Sequence, residues 1–220
     1  MTIESENLNK VPVIFGLCKD EGQFMAAPFY QEMKRWRLLT NNWQEWAPLL
    51  FFGKERELIR TEDQKAAQDI AEFYFGEDTD MTTLPRTEEH LQLLGRIYSM
   101  AYFYSTADHD ARLLSSSGLD VYNFLLTHPP NFSLVDLFRL TPTQLLWSFC
   151  AKSMGYDTYQ KQGVFHMDDL NYLFPMSVFP NAVVTDGQKR VQQLLLDLIC
   201  SFSRGHRIVV YDWQNHYWPR

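Results

Sequence analysis

Apolar residues follow two different periods along the chain, one typical of strands and the other of helices. Short β-rich apolar runs at 11–17 and 119–127 predict two buried strands. The first run leads into the polar turn Cys18-Lys-Asp-Glu-Gly22, and the second is closed by Pro129-Pro130. Because long helical stretches separate the two runs, we expect the strands to pair in parallel through crossover connections.

Helical periodicity occupies most of the remaining chain. It predicts helices from Gln23 to about Leu39 with Pro28 at a start or break, from Thr61 to about Phe75, from Thr87 to about Leu114, and from Gly187 to about Arg204. Thr61 and Gln64 fit a capping box, Thr185 or Asp186 caps the last helix, and Gly205 stops it.

The weaker signals complete the predicted architecture. Two short helices are expected between Ser133 and Cys150, and Ile208-Val-Val-Tyr211 is a candidate third strand. These elements predict an α/β fold. Three strands are too few to bury so many helices, so we expect a partial domain whose other strands lie elsewhere.

Composition and charge narrow the classes of partner. The chain has 20 Lys and Arg against 27 Asp and Glu, for a formal net charge of −7, which argues against nucleic acids and anionic membranes. No apolar run approaches the length that spans a bilayer. Residues 1–10 are polar and acidic, so they do not predict a signal peptide. Aromatic residues make up 15% of the chain, which predicts large buried contacts.

Metal, cofactor and disulfide chemistry has little support. Cys18, Cys150 and Cys200 lack CxxC spacing, so no zinc site is signalled, while a single long-range disulfide stays open. None of the His residues has HExxH spacing, and His109 beside Asp108 and Asp110 fits a solvated helix face. We therefore expect neither a metal nor a cofactor. Asn131-Phe-Ser133 is a glycosylation sequon that matters only in a secreted protein.

Two residues could form a catalytic pair. Glu21 follows a buried strand, at the edge where open α/β sheets place catalytic carboxylates, and His166 lies in a Gly-x-x-His loop. A carboxylate bound to Nδ1 fixes the imidazole tautomer and leaves the other nitrogen to accept a proton. Other candidates have simpler interpretations: Trp36, Trp43 and Trp46 as core rather than a pocket wall, and Asp168 and Asp169 as helix caps, with Leu170, Leu173 and Phe174 packing inward, rather than acids.

The amino-acid sequence around both residues resembles that of type-B carboxylesterases and cholinesterases. Residues 13–22 resemble the strand and Gly-x-x-x-Asp-Glu-Gly turn that carry the triad acid, which falls on Glu21. Residues 163–174 resemble the loop of the triad histidine, which falls on His166. Tyr122-Asn-Phe124 resembles the family strand between them, and the helix ending near Ser201-Phe-Ser-Arg-Gly205 follows in family order. The resemblance implies a partial α/β-hydrolase fold in which residues 1–220 are the C-terminal part of one domain.

Three departures from the family pattern limit the functional prediction. The chain contains no Gly-x-Ser-x-Gly nucleophile elbow and no Gly-rich oxyanion segment, and Ser115-Ser-Ser-Gly118 lacks the leading Gly. Met167 stands where the family tends to have a small residue. The stretch from Pro129 to Gln162 is also longer than expected.

Three hypotheses follow from this resemblance. The first is the acid-and-base segment of a secreted ester hydrolase, inactive alone and completed by the missing N-terminal part of its own domain. The second is a cholinesterase-like adhesion protein, against which the retained Glu21 and His166 argue mildly. The third is a truncated product without independent function. The first and third predict that the chain alone aggregates or stays molten, because strand edges and apolar helix faces would be exposed.

Overall fold

The computed structural model describes residues 9–133, 163–174 and 183–205. The strands are β1 (Val13–Cys18) and β2 (Val121–Leu126). The helices are α1 (Gln23–Gln31), α2 (Met33–Asn41), α3 (Trp43–Phe51), α4 (Thr61–Phe75), α5 (Glu88–Tyr98), α6 (Ser105–Ser116), α7 (Asp168–Leu173) and α8 (Asp186–Ser203). A π-helical turn, Ser99–Tyr104, joins α5 to α6, and short 3₁₀ turns span Arg56–Leu58 and Met81–Thr83.

The two strands pair in parallel, as the sequence predicts. Val13 lies opposite Val121, and the register continues without a break to Cys18 opposite Leu126. The helices α1–α6 form the crossover between them. A Cβ on Gly16 would lie 2.2 Å from the ring of Phe124, so the absence of a side chain there lets the ring pack over the backbone of β1.

The first predicted helix is wrong in its position of interruption. Pro28 lies inside α1, and the chain breaks instead at Glu32, whose backbone is extended with φ −123° and ψ 108°. The guanidinium of Arg86 donates to the carbonyls of Phe29 (2.9 Å) and Tyr30 (2.6 Å). These bonds satisfy the free carbonyls at the end of α1, which stabilises an end at this point.

The other helix predictions need three corrections. The predicted helix from Thr87 to about Leu114 is divided by the π-helical turn Ser99–Tyr104, and α3 is not predicted by the sequence. The third concerns the cap of α4. Thr61 does not cap α4 but is its first residue, because the Asp63 carboxylate accepts the N–H of Arg60 at 3.0 Å and makes Arg60 the cap. Thr87 caps α5 and Thr185 caps α8, accepting N–H bonds at 3.1 and 3.2 Å respectively. The predicted helices between Ser133 and Cys150 and the strand 208–211 lie outside the described residues.

Among the described residues, buried apolar side chains form two clusters. The helical cluster joins α1–α5 and comprises Ala26, Trp36, Leu39, Trp43, Ala47, Phe51, Ala67, Ala71, Met81, Leu91, Leu94, Ile97 and Tyr98. The sheet cluster packs β1 and β2 against α7 and α8 and comprises Cys18, Leu126, Val164, Tyr172, Val191 and Leu195. Trp36 and Trp43 are therefore core residues. Within the described ranges, no helix is long and apolar enough to cross a bilayer.

Candidate active site

The acid of the predicted pair lies in the turn between β1 and α1. We call residues 18–22, from the last residue of β1 to the end of this turn, the acid turn. Glu21 is buried, with 5% of its surface exposed. One carboxylate oxygen, Oε1, accepts the backbone N–H of Cys18 at 2.6 Å, and the other, Oε2, lies 2.7 Å from Nδ1 of His166. Both oxygens are thus fixed, and the turn itself orients the carboxylate toward the imidazole.

The histidine loop docks on this turn through backbone hydrogen bonds. The N–H of Asp20 donates to the carbonyl of Val164 at 2.7 Å, and the N–H of Val164 donates back to Oδ2 of Asp20 at 3.0 Å. The docking is close because Gly163 has φ +149° and a Cβ there would lie 2.9 Å from Asp20 Oδ2. Glu21 and His166, which are 145 residues apart, are brought together by this contact.

The residue after His166 has an unusual backbone. Met167 adopts the left-handed conformation, with φ 67° and ψ 10°, which costs a non-glycine residue about 1–2 kcal/mol. The fully buried Asp168 accepts the N–H of Phe165 at 2.8 Å, a contact that spans Met167. The buried carboxylate therefore stabilises the turn that presents His166.

The prediction for Asp168 and Asp169 is partly corrected. Met167, not an aspartate, holds the cap position of α7, and Phe174 is exposed rather than packed inward, because Tyr172 and Leu173 supply the buried face. Asp169 is half-buried, and its Oδ1 lies 3.9 Å from Sγ of Cys18. Burial raises the pKa of Asp169 above its ordinary value.

The environment of His166 favours its protonated form. The hydrogen bond with Glu21 raises the pKa of His166, and partial burial opposes this rise. Within the described part of the chain, two aromatic rings flank the imidazole, with centroids 5.9 Å away for Phe24 and 5.1 Å away for Phe103. The side chain is still 37% exposed, so the imidazole combines a fixed Nδ1 with access to solvent.

Ser116, Ser117 and Cys18, which are among the described residues, do not match this arrangement. The Ser116 and Ser117 hydroxyls donate to the carbonyl of Leu113, at 2.8 and 2.9 Å, and so are used within α6. Burial and the neighbouring carboxylates raise the pKa of the Cys18 thiol, which disfavours the nucleophilic thiolate. In the sequon, Asn131 is partly exposed whereas Ser133 is fully buried.

In the described part of the chain, no group of three or more His, Cys, Asp or Glu side chains is arranged to bind a metal ion. His109 is exposed on α6, and the neighbouring Asp108 pairs with Arg112 at 2.7 Å. A polar cleft of about 410 Å³ lies between the α2–α3 junction and α4, and its lining contains neither Glu21 nor His166.

Sequence reasoning missed three residues that support the site. Asp20, Ser99 and Tyr104 all hydrogen-bond to the acid turn or the histidine loop. Asp20 had an available signal, because it precedes the proposed acid in the same turn. Ser99 and Tyr104 had none, since their role depends on helix geometry rather than on a motif.

The comparison with protein families decides the assignment. The model of the carboxylesterase family matches residues 1–212. The chain belongs to this family. Among curated relatives, it is 28% identical over 131 residues to Esterase E4 and to Esterase FE4 of Myzus persicae. The match covers 58% of this chain but only 22% of either relative, so the chain spans about a fifth of their length.

A solved structure supports the fold. Juvenile hormone esterase from Manduca sexta, solved with OTFP covalently attached, aligns with a TM-score of 0.55 and 16% sequence identity. The alignment covers 94% of this chain and 34% of that one. The chain is therefore a part of an α/β-hydrolase fold, helix-rich and with a small parallel sheet among its described residues.

Proposed function

We propose that this chain is the C-terminal segment of a carboxylic ester hydrolase, in which Glu21 and His166 are the acid and the base of a serine triad. The observation that carries the proposal is the 2.7 Å contact between Glu21 Oε2 and His166 Nδ1 in a carboxylesterase-family chain. The serine nucleophile and the oxyanion donors would come from outside these 220 residues, because the sequence contains no Gly-x-Ser-x-Gly elbow.

The proposed mechanism uses only two groups of this chain. His166 accepts the proton of the serine hydroxyl through Nε2 as the serine attacks the ester carbonyl. It then returns that proton to the leaving alcohol. Glu21 fixes the tautomer and stabilises the imidazolium, in keeping with the raised pKa of His166. Water releases the acid from the acyl-enzyme by the same proton transfers.

Three further properties belong to the same proposal. The substrates would be esters with substantial acyl or alcohol groups, and no cofactor would be needed. The parent protein would be extracellular by resemblance to its family, with Asn131 as a glycosylation site. Since Ser133 is buried, transfer of the glycan would have to precede folding of this segment.

A second candidate is a binding protein of the same fold that has lost catalysis. The missing nucleophile elbow in these 220 residues is the observation that favours it. It would not require the alignment of Glu21 with His166, whereas an esterase would. The two candidates therefore differ in whether the imidazole matters for function.

Covalent labelling by a serine-directed phosphonate separates the candidates. We expect the 220-residue chain alone to remain unlabelled and the intact natural polypeptide to be labelled. We expect His166→Gln to slow labelling and ester hydrolysis by up to about six orders of magnitude, since triad residues act as a unit. His109→Gln, at an exposed position on α6, is the matched control and should leave the rate unchanged.

Two results would contradict the proposal. Labelling of the 220-residue chain alone would show that it carries its own nucleophile. Equal rates for His166→Gln and His109→Gln would remove the role of His166 and favour the binding protein.

A further inference from the structure

One helical turn departs from α-geometry beside the proposed site. In the π-turn Ser99–Tyr104, the N–H of Ser105 donates to the carbonyl of Met100, five residues earlier. An α-helix closes the same bond over four residues, so the π-turn accommodates one extra residue. Such turns are rare and frequently occur at functional sites. The contacts of its side chains show what the extra residue accomplishes here.

The two ends of the π-turn bind the two ends of the acid turn. Ser99 Oγ accepts the N–H of Gly22 at 2.8 Å and donates to the carbonyl of Gly95 at 2.9 Å. The Tyr104 hydroxyl lies 2.7 Å from the carbonyl of Lys19 and 3.0 Å from that of Cys18. Burial raises the pKa of Tyr104 to about 12, which keeps this hydroxyl a donor.

The approach of the acid turn to the helix is as close as the backbone allows. A Cβ on Gly22 would lie 2.2 Å from the nitrogen of Ser99 and 2.3 Å from the carbonyl oxygen of Gly95. Backbone atoms of this kind cannot move aside as a flexible side chain would. The residue after Glu21 is thus held directly against the start of the π-turn.

The same π-turn also contacts the histidine. The ring centroid of Phe103 lies 5.1 Å from that of His166, on a tilted plane of 48°. Phe24, from α1, makes the second ring contact at 5.9 Å. Phe103 therefore limits rotation of the imidazole, while Ser99 and Tyr104 hold the turn that carries its carboxylate partner.

The π-register brings the three contacting residues toward one side of the helix. In an α-helix, residues five apart are separated by about 140° around the axis, so Ser99 and Tyr104 would point to different sides. A π-turn needs more residues per revolution, which brings residues four and five apart close to one side. The extra residue therefore aligns Ser99, Phe103 and Tyr104 toward the same turn and loop.

We propose that the π-turn Ser99–Tyr104 positions the Glu21–His166 pair, with Ser99, Phe103 and Tyr104 as positioning residues. None of the three is proposed to touch a reacting atom. The consequence for catalysis rests on the proposed ester hydrolysis, whereas the positioning itself is a property of His166 that is measured without any substrate.

The test compares two hydroxyl deletions on the same π-turn. Tyr104→Phe removes the donor to Cys18 and Lys19, and Tyr102→Phe removes a donor to the carbonyl of Leu50 on α3, away from the acid turn. Both variants are made in the intact natural polypeptide that contains these residues. NMR with labelled histidine records the Nδ1 proton of His166 and its titration.

We expect Tyr104→Phe to weaken or abolish the hydrogen-bonded Nδ1 proton signal and to lower the pKa of His166. Tyr102→Phe should change neither the signal nor the pKa. Phe103→Leu should broaden the signal through freer ring rotation. Equal behaviour of the two tyrosine variants would overturn the proposal, whether both keep the signal or both lose it. Melting temperatures of both variants identify a general loss of folding.

Deletion of the exposed Met100 tests the register directly. Removing one residue should restore an α-turn and abolish the Nδ1 signal more completely than Tyr104→Phe. If the deletion variant does not fold, the comparison of the tyrosine variants still decides. A native protein that shows the Nδ1 signal but hydrolyses no ester would contradict the proposed function and leave the positioning role intact.

Discussion

The two buried clusters found among the described residues differ in size and in the elements that build them. The helical cluster is lined by residues from five consecutive helices and contains large fully buried side chains such as Trp36 and Leu94. The sheet cluster is smaller and joins β1, β2, α7 and α8. Exposed apolar side chains occur in both regions, such as Leu125 on β2 at 52% and Leu38 on α2 at 53%.

This difference separates a core built from consecutive helices from one built from elements far apart in the sequence. The helical region forms a core within 73 residues of contiguous sequence, from Ala26 to Tyr98. The described sheet has two strands, fewer than a sheet normally needs to be stable by itself. The proposed site lies where the two regions meet, since Glu21 precedes α1 and His166 precedes α7.

The largest effect on stability should come from a cavity in the helical cluster. Trp36→Ala removes a buried indole whose N–H donates to the carbonyl of Leu84 at 3.1 Å. We expect the free energy of unfolding of the intact polypeptide to fall by about 3–5 kcal/mol in chemical denaturation. Phe73→Ala, at a side chain 81% exposed, is the control and should change it by less than about 0.5 kcal/mol.

Gly22→Ala should disturb the junction between the two regions. The new Cβ would meet backbone atoms of Ser99 and Gly95 at 2.2–2.3 Å, so we expect a loss of about 1–3 kcal/mol and slower ester hydrolysis. Gly187→Ala on α8, where the closest atom is a His128 ring atom at 3.4 Å, should cause no loss. Equal stabilities would show that the acid turn is not held against α5.

Glu21→Gln should change how stability depends on pH. The raised pKa of His166 means that its charged form stabilises the native state. That contribution is complete below the unfolded pKa, near 6.5, and is lost as pH rises through the higher native pKa. The wild-type advantage over Glu21→Gln in thermal melts should therefore shrink with rising pH. A constant or growing advantage would argue against the charged pair.

The smallest effect should come from an exposed apolar side chain beside the sheet cluster, and it concerns aggregation. Leu125→Thr removes an exposed apolar side chain from β2 and should raise the concentration at which the isolated 220-residue chain aggregates. Light scattering measures that threshold. The control is Phe73→Thr, at an exposed position in the helical region. An equal rise of the aggregation threshold there would mean that the sheet region does not contribute more to aggregation.

Local signals account for the elements that the sequence predicts well. The parallel strands follow from apolar runs bounded by turns, and α5 and α8 begin where Thr87 and Thr185 supply caps within one helical turn. The interruption after α1 was misplaced because Pro28 is a local signal, whereas the bonds from Arg86 are made by a residue more than 50 positions away. Tertiary contacts thus overrode the local preference.

The site was predictable to the extent that motifs describe it. Glu21 and His166 lie in sequence motifs that resemble the family's acid turn and histidine loop. These motifs were sufficient to predict both residues. The contacts of Tyr104 with Cys18 and Lys19 cross about 85 residues and depend on one extra residue in a helix. No residue pattern reports that change of register, so this support could be found only in three dimensions.

The exchange of hydrogen bonds between Asp20 and Val164 has a consequence for protein engineering. Three of the four groups in that exchange belong to the main chain, so the identity of the side chain at 164 does not enter it. A histidine grafted alone onto another scaffold would lack this frame. The transferable module is the segment 18–22 together with 163–168, and a recipient must supply main-chain partners in the same register.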